Sequence, residues 1–332
     1  MPFVIYNLAN SISTFFFEAG SSTSREECDA FVRERYGHDI SIQPAPIQGV
    51  SSYTVFVGND KVVQFREHTS LLDIPLLNLV REIHGEDTIV PRCVEIGWIG
   101  GLGVYEMTKL SGEALVMVRS SLDGCQRERA VWKRFFAQSW LKSEAATLTS
   151  GFDISTLRST AKEECDRRLE YLSQTLPARL QPFVTEIQTT FSYPIVLTHA
   201  DLNETNTLLS PSTGSLSGIL DWAGASFLPF GFSLYALENF LGGWMGQKGW
   251  TWLPHSEQLR NIFWETFCTQ TGLEDVRLIK LAAKAGILIR YGIAWDARFE
   301  GMIGVRDPNL GGGDEYRSLD ALLFSNRGET TE

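Results

Sequence analysis

The chain has 332 residues, with 40 acidic against 29 basic side chains and a formal charge of -11 at pH 7. That balance argues against a nucleic-acid-binding surface and suits a neutral or cationic small molecule, while the length exceeds the roughly 250 to 300 residues at which one core stops growing. The start, Met1 to Tyr6, lacks the basic and long apolar parts of a signal peptide, and no window approaches about 18 unbroken apolar residues, so a cytoplasmic protein without a membrane span is expected.

In chain order, Ser24-Arg25-Glu26-Glu27 has capping-box form and predicts a helix that stops at Gly37. Pro46 to Val57 reads as a strand, a small-residue turn through Gly49, Ser51 and Ser52, and a second strand. Lys61 to Arg66 reads as the next strand. Helices are predicted over Arg127 to Leu141, Ile154 to Leu176 and Arg179 to Thr190. Tyr193 to Leu197 is strand-like, and Thr207 to Leu209 and Leu216 to Leu220 form a hairpin about Pro211-Ser212-Thr213-Gly214. Further helices are predicted over Phe232 to Leu241, Ser256 to Thr271 and Val276 to Arg298, while Gly311-Gly312-Gly313 and the closing residues have flexible composition. Strands thus come early and helices late, the pattern of an α+β fold. Cys28, Cys93, Cys125, Cys165 and Cys268 are scattered without any Cys-x-x-Cys pair, so neither a disulfide scaffold nor a zinc site is expected. His38, His68, His84 and His255 have no partners at ligand spacing and are expected on the surface. Trp244, Trp250 and Trp252 are expected to pack in the core, with a wall of the acceptor pocket as the alternative.

The most telling stretch is Thr198-His199-Ala200-Asp201-Leu202-Asn203-Glu204-Thr205-Asn206, followed by Asp221-Trp222. Pairing the hairpin strands brings Asn206 within a residue of register of Asp221, so two oxygen ligands meet at one open end. A hard cation such as Mg²⁺ takes such donors together with phosphate oxygens and water. Asp201, in the loop leading to that end, is placed to orient a hydroxyl and accept its proton. His199, at a strand end, reads as a buried hydrogen-bonding residue.

These residues resemble the His-Gly-Asp-x-x-x-x-Asn catalytic loop of the aminoglycoside phosphotransferase and choline kinase-like family, distant relatives of protein kinases. Ile219-Leu220-Asp221-Trp222 is similar to that family's metal-binding segment. The resemblance implies a protein-kinase-like fold with a β-rich nucleotide-covering lobe over residues 1–109 and a helical lobe over 110–332. It implies Asp201 as catalytic base, and Asn206 and Asp221 as ligands of Mg²⁺. Gly49, Ser51 and Ser52 would admit the ATP phosphates to backbone amides. The segment Gly103 to Gly112 resembles the family's hinge, which places Glu106 and Met107 at the adenine.

The family's phosphate-binding lysine has no evident counterpart. Arg66 or Gln64 takes its place, with Asp73 or Glu82 as the acidic partner on the next helix. Downstream, Leu228-Pro229-Phe230-Gly231-Phe232-Ser233-Leu234 lacks the family's acidic brace, so Ser233 or other residues must hold the loop. The implied activity is ATP- and Mg-dependent phosphoryl transfer to a hydroxyl of a small-molecule acceptor. A nucleotide-binding pseudokinase and a nucleotidyl transferase are the alternatives.

Overall fold

The computed structural model describes residues 6–18, 22–85, 89–124, 126, 136, 139, 153–175, 181–190, 195–199, 201–244, 249–274, 276–295, 302–305, 319 and 321–323. The chain divides into two compact units, Met1–Ser120 with Thr205–Ala223, and Ser121–Glu204 with Gly224–Glu332.

The first unit is built on a five-stranded antiparallel sheet. Its strands are β1 (Ile42–Pro44), β2 (Ser52–Val57), β3 (Lys61–Arg66), β4 (Cys93–Ile99) and β5 (Leu102–Thr108), in the order β1-β2-β3-β5-β4. Alternation along β2 turns Tyr53, Val55 and Val57 into the core, where they meet Val63 and Phe65 of β3 and Leu102 and Val104 of β5. Two helices close that face. The predicted one, α2 (Arg25–Tyr36), has the full capping box at Ser24 and Glu27 and ends at Gly37. The other, α1 (Leu8–Glu18), was not anticipated, because its polar Asn and Ser residues mask a helical spacing of Leu8, Ile12 and Phe15; the latter two are buried. The side chain of Asn7 accepts from the Asn10 amide at 3.0 Å and starts that helix.

The first strand of the expected covering hairpin lies earlier than Pro46. It is β1, pairing Ile42 with Val57 and Pro44 with Val55, so 45–51 form the connecting loop. Prolines at 44 and 46 remove two backbone donors, and the buried Gln48 side chain supplies the missing pairing. Its amide donates to Ala45 O and Thr54 O, both at 2.9 Å, and accepts from Thr54 N at 2.8 Å.

The first unit also holds α3 (Ile74–His84), the short β6 (Glu113–Ala114), α4 (Leu115–Val118), and the hairpin β8 (Thr207–Leu209) with β9 (Leu216–Ile219), against which β6 pairs.

The second unit is mainly helical: α5 (Ile154–Thr175), α6 (Gln181–Thr190), α7 (Tyr235–Leu241), α8 (Ser256–Thr271) and α9 (Arg277–Gly292). Among these stand three strand pairs, β7 (Ile195–Thr198) with β10 (Ser226–Pro229), β11 (Gly242–Trp244) with β12 (Trp250–Trp252), and β13 (Ile293–Trp295) with β14 (Met302–Val305). The predicted helix 276–298 therefore stops short: after Gly292 the β-branched and aromatic Ile293 and Trp295 go into a strand. The start of the predicted helix 232–241 is a 3₁₀ turn, Phe232–Leu234. Gly286 of α9 is required there, since a Cβ would stand 2.0 Å from Phe232 O. Most of the predicted helix 127–141, Gly311 to Gly313 and the closing residues lie outside the described residues.

Candidate active site

The hairpin β8-β9 positions the first group of candidate residues. Thr207 pairs with Ile219, and one step beyond the strands Leu220 N donates to Asn206 O at 2.8 Å. Asn206 thus faces Leu220, one residue from Asp221. Asp221 adopts a left-handed backbone, φ 57°, which a non-glycine residue takes only when its surroundings impose it. Trp222 is one such constraint: it is buried, donates from Nε1 to Ile219 O at 2.9 Å, and packs its ring against that of His84 of α3, tilted by 36° with centroids 5.6 Å apart. His84 is accordingly a core residue, contrary to the surface position expected for it.

Asp221 stands beside Arg66, with Nη1 3.7 Å from Oδ1. Arg66 is buried at the end of β3, and burial lowers its pKa against the opposing pull of the Asp221 carboxylate. Its guanidinium is held by Ser70 O and by Gln64 Oε1, the latter at 2.9 Å. The Gln64 amide in turn donates to Ser52 Oγ at 3.1 Å and Thr54 Oγ1 at 3.0 Å. Arg66 and Gln64 are therefore not competing choices in space: Gln64 braces, and Arg66 faces the carboxylate. Asp73 caps α3, accepting from Leu76 N at 2.9 Å, so that carboxylate serves the helix end.

The lysine of β3, Lys61, is bound elsewhere. Its Nζ lies 2.7 Å from Glu106 Oε1, and Tyr36 OH donates to the other carboxylate oxygen. Burial raises the Glu106 pKa, yet the hydrogen bonds from Lys61 and Tyr36 outweigh it and hold the carboxyl below its ordinary value. Burial and that same carboxylate push the Tyr36 hydroxyl up to about 12. Glu106 and Met107 sit inside β5, paired with β3 on one side and β4 on the other. Their main-chain groups belong to the sheet, and pairing continues through Thr108 N to Arg92 O and Lys109 N to Asp60 O. Of the small-residue loop, Gly49 is exposed at the turn, Ser51 is half-buried, and Ser52 is buried at the start of β2.

A second group of candidate residues lies in the loop after β7 and is described within its own unit. His199 is buried, and its Nδ1 accepts from Asp201 N at 3.2 Å, which leaves the proton of a neutral ring on Nε2. The Asp201 carboxylate accepts from Asn203 and Arg290. Asn203 Nδ2 lies 3.1 Å from Oδ2, and Arg290 Nη2 lies 2.8 Å from Oδ1. The Arg290 guanidinium lies over the ring of Tyr235, 5.7 Å from its centroid. Tyr235 is buried, which drives its hydroxyl pKa far up, and that hydroxyl also takes a backbone hydrogen bond from Leu202. The loop bracing that the sequence lacked at the acidic position comes from Arg290 and Tyr235. Sequence reasoning missed both, because neither stands at a motif position and Arg290 is 89 residues from Asp201.

Among the described contacts, Trp250 and Trp252 do not join this loop. Trp250 and Trp252 are half-buried neighbours on β12, 5.7 Å apart, and Arg260 stacks over Trp252 while its guanidinium pairs with buried Glu238 at 2.8 Å. Cys28, Cys93 and Cys268 are free thiols among the described residues, and no described group of three His, Cys, Asp or Glu could hold a metal by itself. No described helix is long and apolar enough to cross a membrane.

Residues 112–237, which include Asp201, Asn206 and Asp221, match the model of the phosphotransferase enzyme family. The aminoglycoside 2'-phosphotransferase-IIIa solved with GDP superimposes with a TM-score of 0.56 at 16% identity, covering 81% of this chain and 90% of that one. A putative aminoglycoside phosphotransferase from Ralstonia eutropha JMP134 gives 0.54 at 14%, covering 81% and 87%. Macrolide 2'-phosphotransferase type I gives 0.53 at 13%, covering 81% and 91%. None of the curated proteins compared with this chain matches it. The fold is the protein-kinase-like fold of these enzymes, and the expected resemblance is borne out. The family match over residues 112–237 supports a small-molecule phosphotransferase.

Proposed function

We propose that the protein transfers the γ-phosphoryl group of ATP to a hydroxyl of a small molecule. The observation that carries this reading is the hairpin end, where Asn206 faces Leu220 and the strained Asp221 stands beside the buried Arg66. An amide oxygen and a carboxylate at one end of a hairpin fit Mg²⁺, whose remaining positions go to phosphate and water. The charge of Mg²⁺ there would offset that of the β and γ phosphates. Arg66, permanently charged, would contact the α and β phosphates. The loop through Gly49, Ser51 and Ser52 would cover them. Adenine would lie past the end of β5, against the backbone after Lys109, with Glu106 and Met107 shaping that edge. On this reading residues 1–109 serve the nucleotide, and 110–332 carry the catalytic loop and the acceptor.

Asp201 orients the acceptor hydroxyl and takes its proton while the oxygen bonds to the γ phosphorus and the bridging bond to the β phosphate breaks. The leaving group is ADP. Asn203 and Arg290 fix the carboxylate for that role. A cytoplasmic location belongs to the same proposal.

A second reading, a nucleotide-binding pseudokinase, draws on one observation: Lys61 is committed to Glu106, so the phosphate contact falls to an arginine with another geometry. A screen of small hydroxyl compounds with Mg-ATP, read by mass, decides. A gain of about 80 Da marks phosphoryl transfer. A gain of roughly 329 Da would mark adenylyl transfer instead, and no gain with any acceptor favours the pseudokinase.

A further inference from the structure

The Asp201 carboxylate is bonded by a cation, Arg290, at 2.8 Å. Its place is built. Arg290 ends α9, its guanidinium lies over the Tyr235 ring, Tyr235 meets Tyr291 edge-on at 6.4 Å, and the Tyr291 hydroxyl donates to Asn239 Oδ1. Yet Arg290 and Asp201 are both open to solute, with side chains 35% and 48% exposed. A guanidinium has five N–H donors in a planar fork, and among the described residues Arg290 bonds one group, Asp201. A charged fork is thus available within a few ångströms of the carboxylate that would receive the acceptor's proton.

We propose that this site takes hydroxyl compounds that carry a carboxylate or phosphate group, with Arg290 binding the anion and Asp201 the hydroxyl. The inference rests on the reading of Asp201 as the base. A carboxylate or phosphate presents two oxygens that the remaining donors of Arg290 match. A cationic acceptor would instead bring its charge against the guanidinium, and the Asp201 charge that could attract it is already paired. The formal charge of -11 acts at long range and is screened beyond about 10 Å, whereas Arg290 acts at contact. Acceptor choice then follows the local cation, against the neutral or cationic ligand that composition suggests.

The test uses a panel of small hydroxy acids, each paired with its neutral primary amide, together with choline and kanamycin. Binding is measured by calorimetry with Mg²⁺ and a non-hydrolysable ATP analogue, and transfer by mass with Mg-ATP. Acids are expected to bind about tenfold or more tighter than their amides. Arg290→Gln should bring the two to equal affinity, and Arg290→Lys should keep part of the preference, because it retains the charge and loses the fork. A merely structural arginine would weaken acid and amide together. Equal binding of acid and amide to the wild type, tighter binding of choline or kanamycin, or no acid binding at all overturns the proposal, whatever the variants do. Asp201→Asn separates the two claims: wild-type transfer in that variant removes the base reading, while the acid-to-amide ratio still reports on Arg290.

Discussion

Each unit of the molecule sets an arginine beside a carboxylate for which a function is proposed, and the two pairs are built differently. Arg66 is 7% exposed, tied to Gln64 and Ser70, and stays 3.7 Å from Asp221, whereas Arg290 is 35% exposed and bonds Asp201 directly at 2.8 Å. A buried, multiply bonded guanidinium cannot change partners without leaving acceptors unsatisfied, so it presents fixed charge and leaves Asp221 free for a metal. An exposed guanidinium with one bond can exchange. On the proposed reading, the same two residue types suit a constant task at the nucleotide and a variable one at the acceptor.

The largest expected effect tests the second pair. Asp201→Asn keeps the shape and the Asn203 contact but removes the base, and should lower kcat about a hundredfold or more with nearly unchanged Mg-ATP affinity. Wild-type turnover in that variant would make Asp201 a loop-former.

The first pair is broken next. Asp221→Ala should weaken Mg-ATP binding on the order of tenfold and remove the Mg-dependent part of the rise in Tm that ATP produces by mass action. Equal Tm shifts with and without Mg²⁺ in the wild type would remove the metal assignment.

Arg66 sharpens the contrast between fixed and exchangeable charge. Arg66→Ala should raise the KM for ATP more than Arg66→Lys does. It should also cost about 1–3 kcal/mol of stability, because Gln64 Oε1 and Ser70 O lose their donor. Unchanged ATP kinetics in Arg66→Ala would leave Arg66 as a purely structural residue.

The smallest effect concerns Glu106, which belongs to neither pair. Its folded pKa is depressed, so its contribution is present above the unfolded value near 4.5 and is lost as pH falls through the lower folded value. Denaturant unfolding should therefore show wild type more stable than Glu106→Gln at neutral pH, by less than about 1 kcal/mol, with the gap closing below about pH 4.5. A gap that widens on acidification would show that the Lys61 and Tyr36 contacts do not govern Glu106.

Local signals carried much of this in the sequence. The capping box Ser24-Glu27, the strand Lys61–Arg66 and the helix Ser256–Thr271 were readable because each is decided by neighbours a few residues apart: a cap, an alternation, a helical period. The Asn206–Asp221 proximity was readable for the same reason, since a short turn sets the register of its hairpin. Helix α1 was hidden because its evidence is burial against a sheet that comes later in the chain. His84 was misplaced because the ring it packs against, Trp222, is far away in sequence.

By itself, then, the sequence determined the α+β class, several of the elements and the spacing of Asp201, Asn206 and Asp221, all of which follow from short-range backbone geometry. Which cation meets which carboxylate was decided only by the tertiary structure. Lys61 stands across the sheet near Glu106 and is spent there, while Arg66 faces Asp221 and Arg290 reaches Asp201. Charges attract without regard to sequence distance and bond only where packing sets them within hydrogen-bonding reach, so no spacing in the chain announces such pairs.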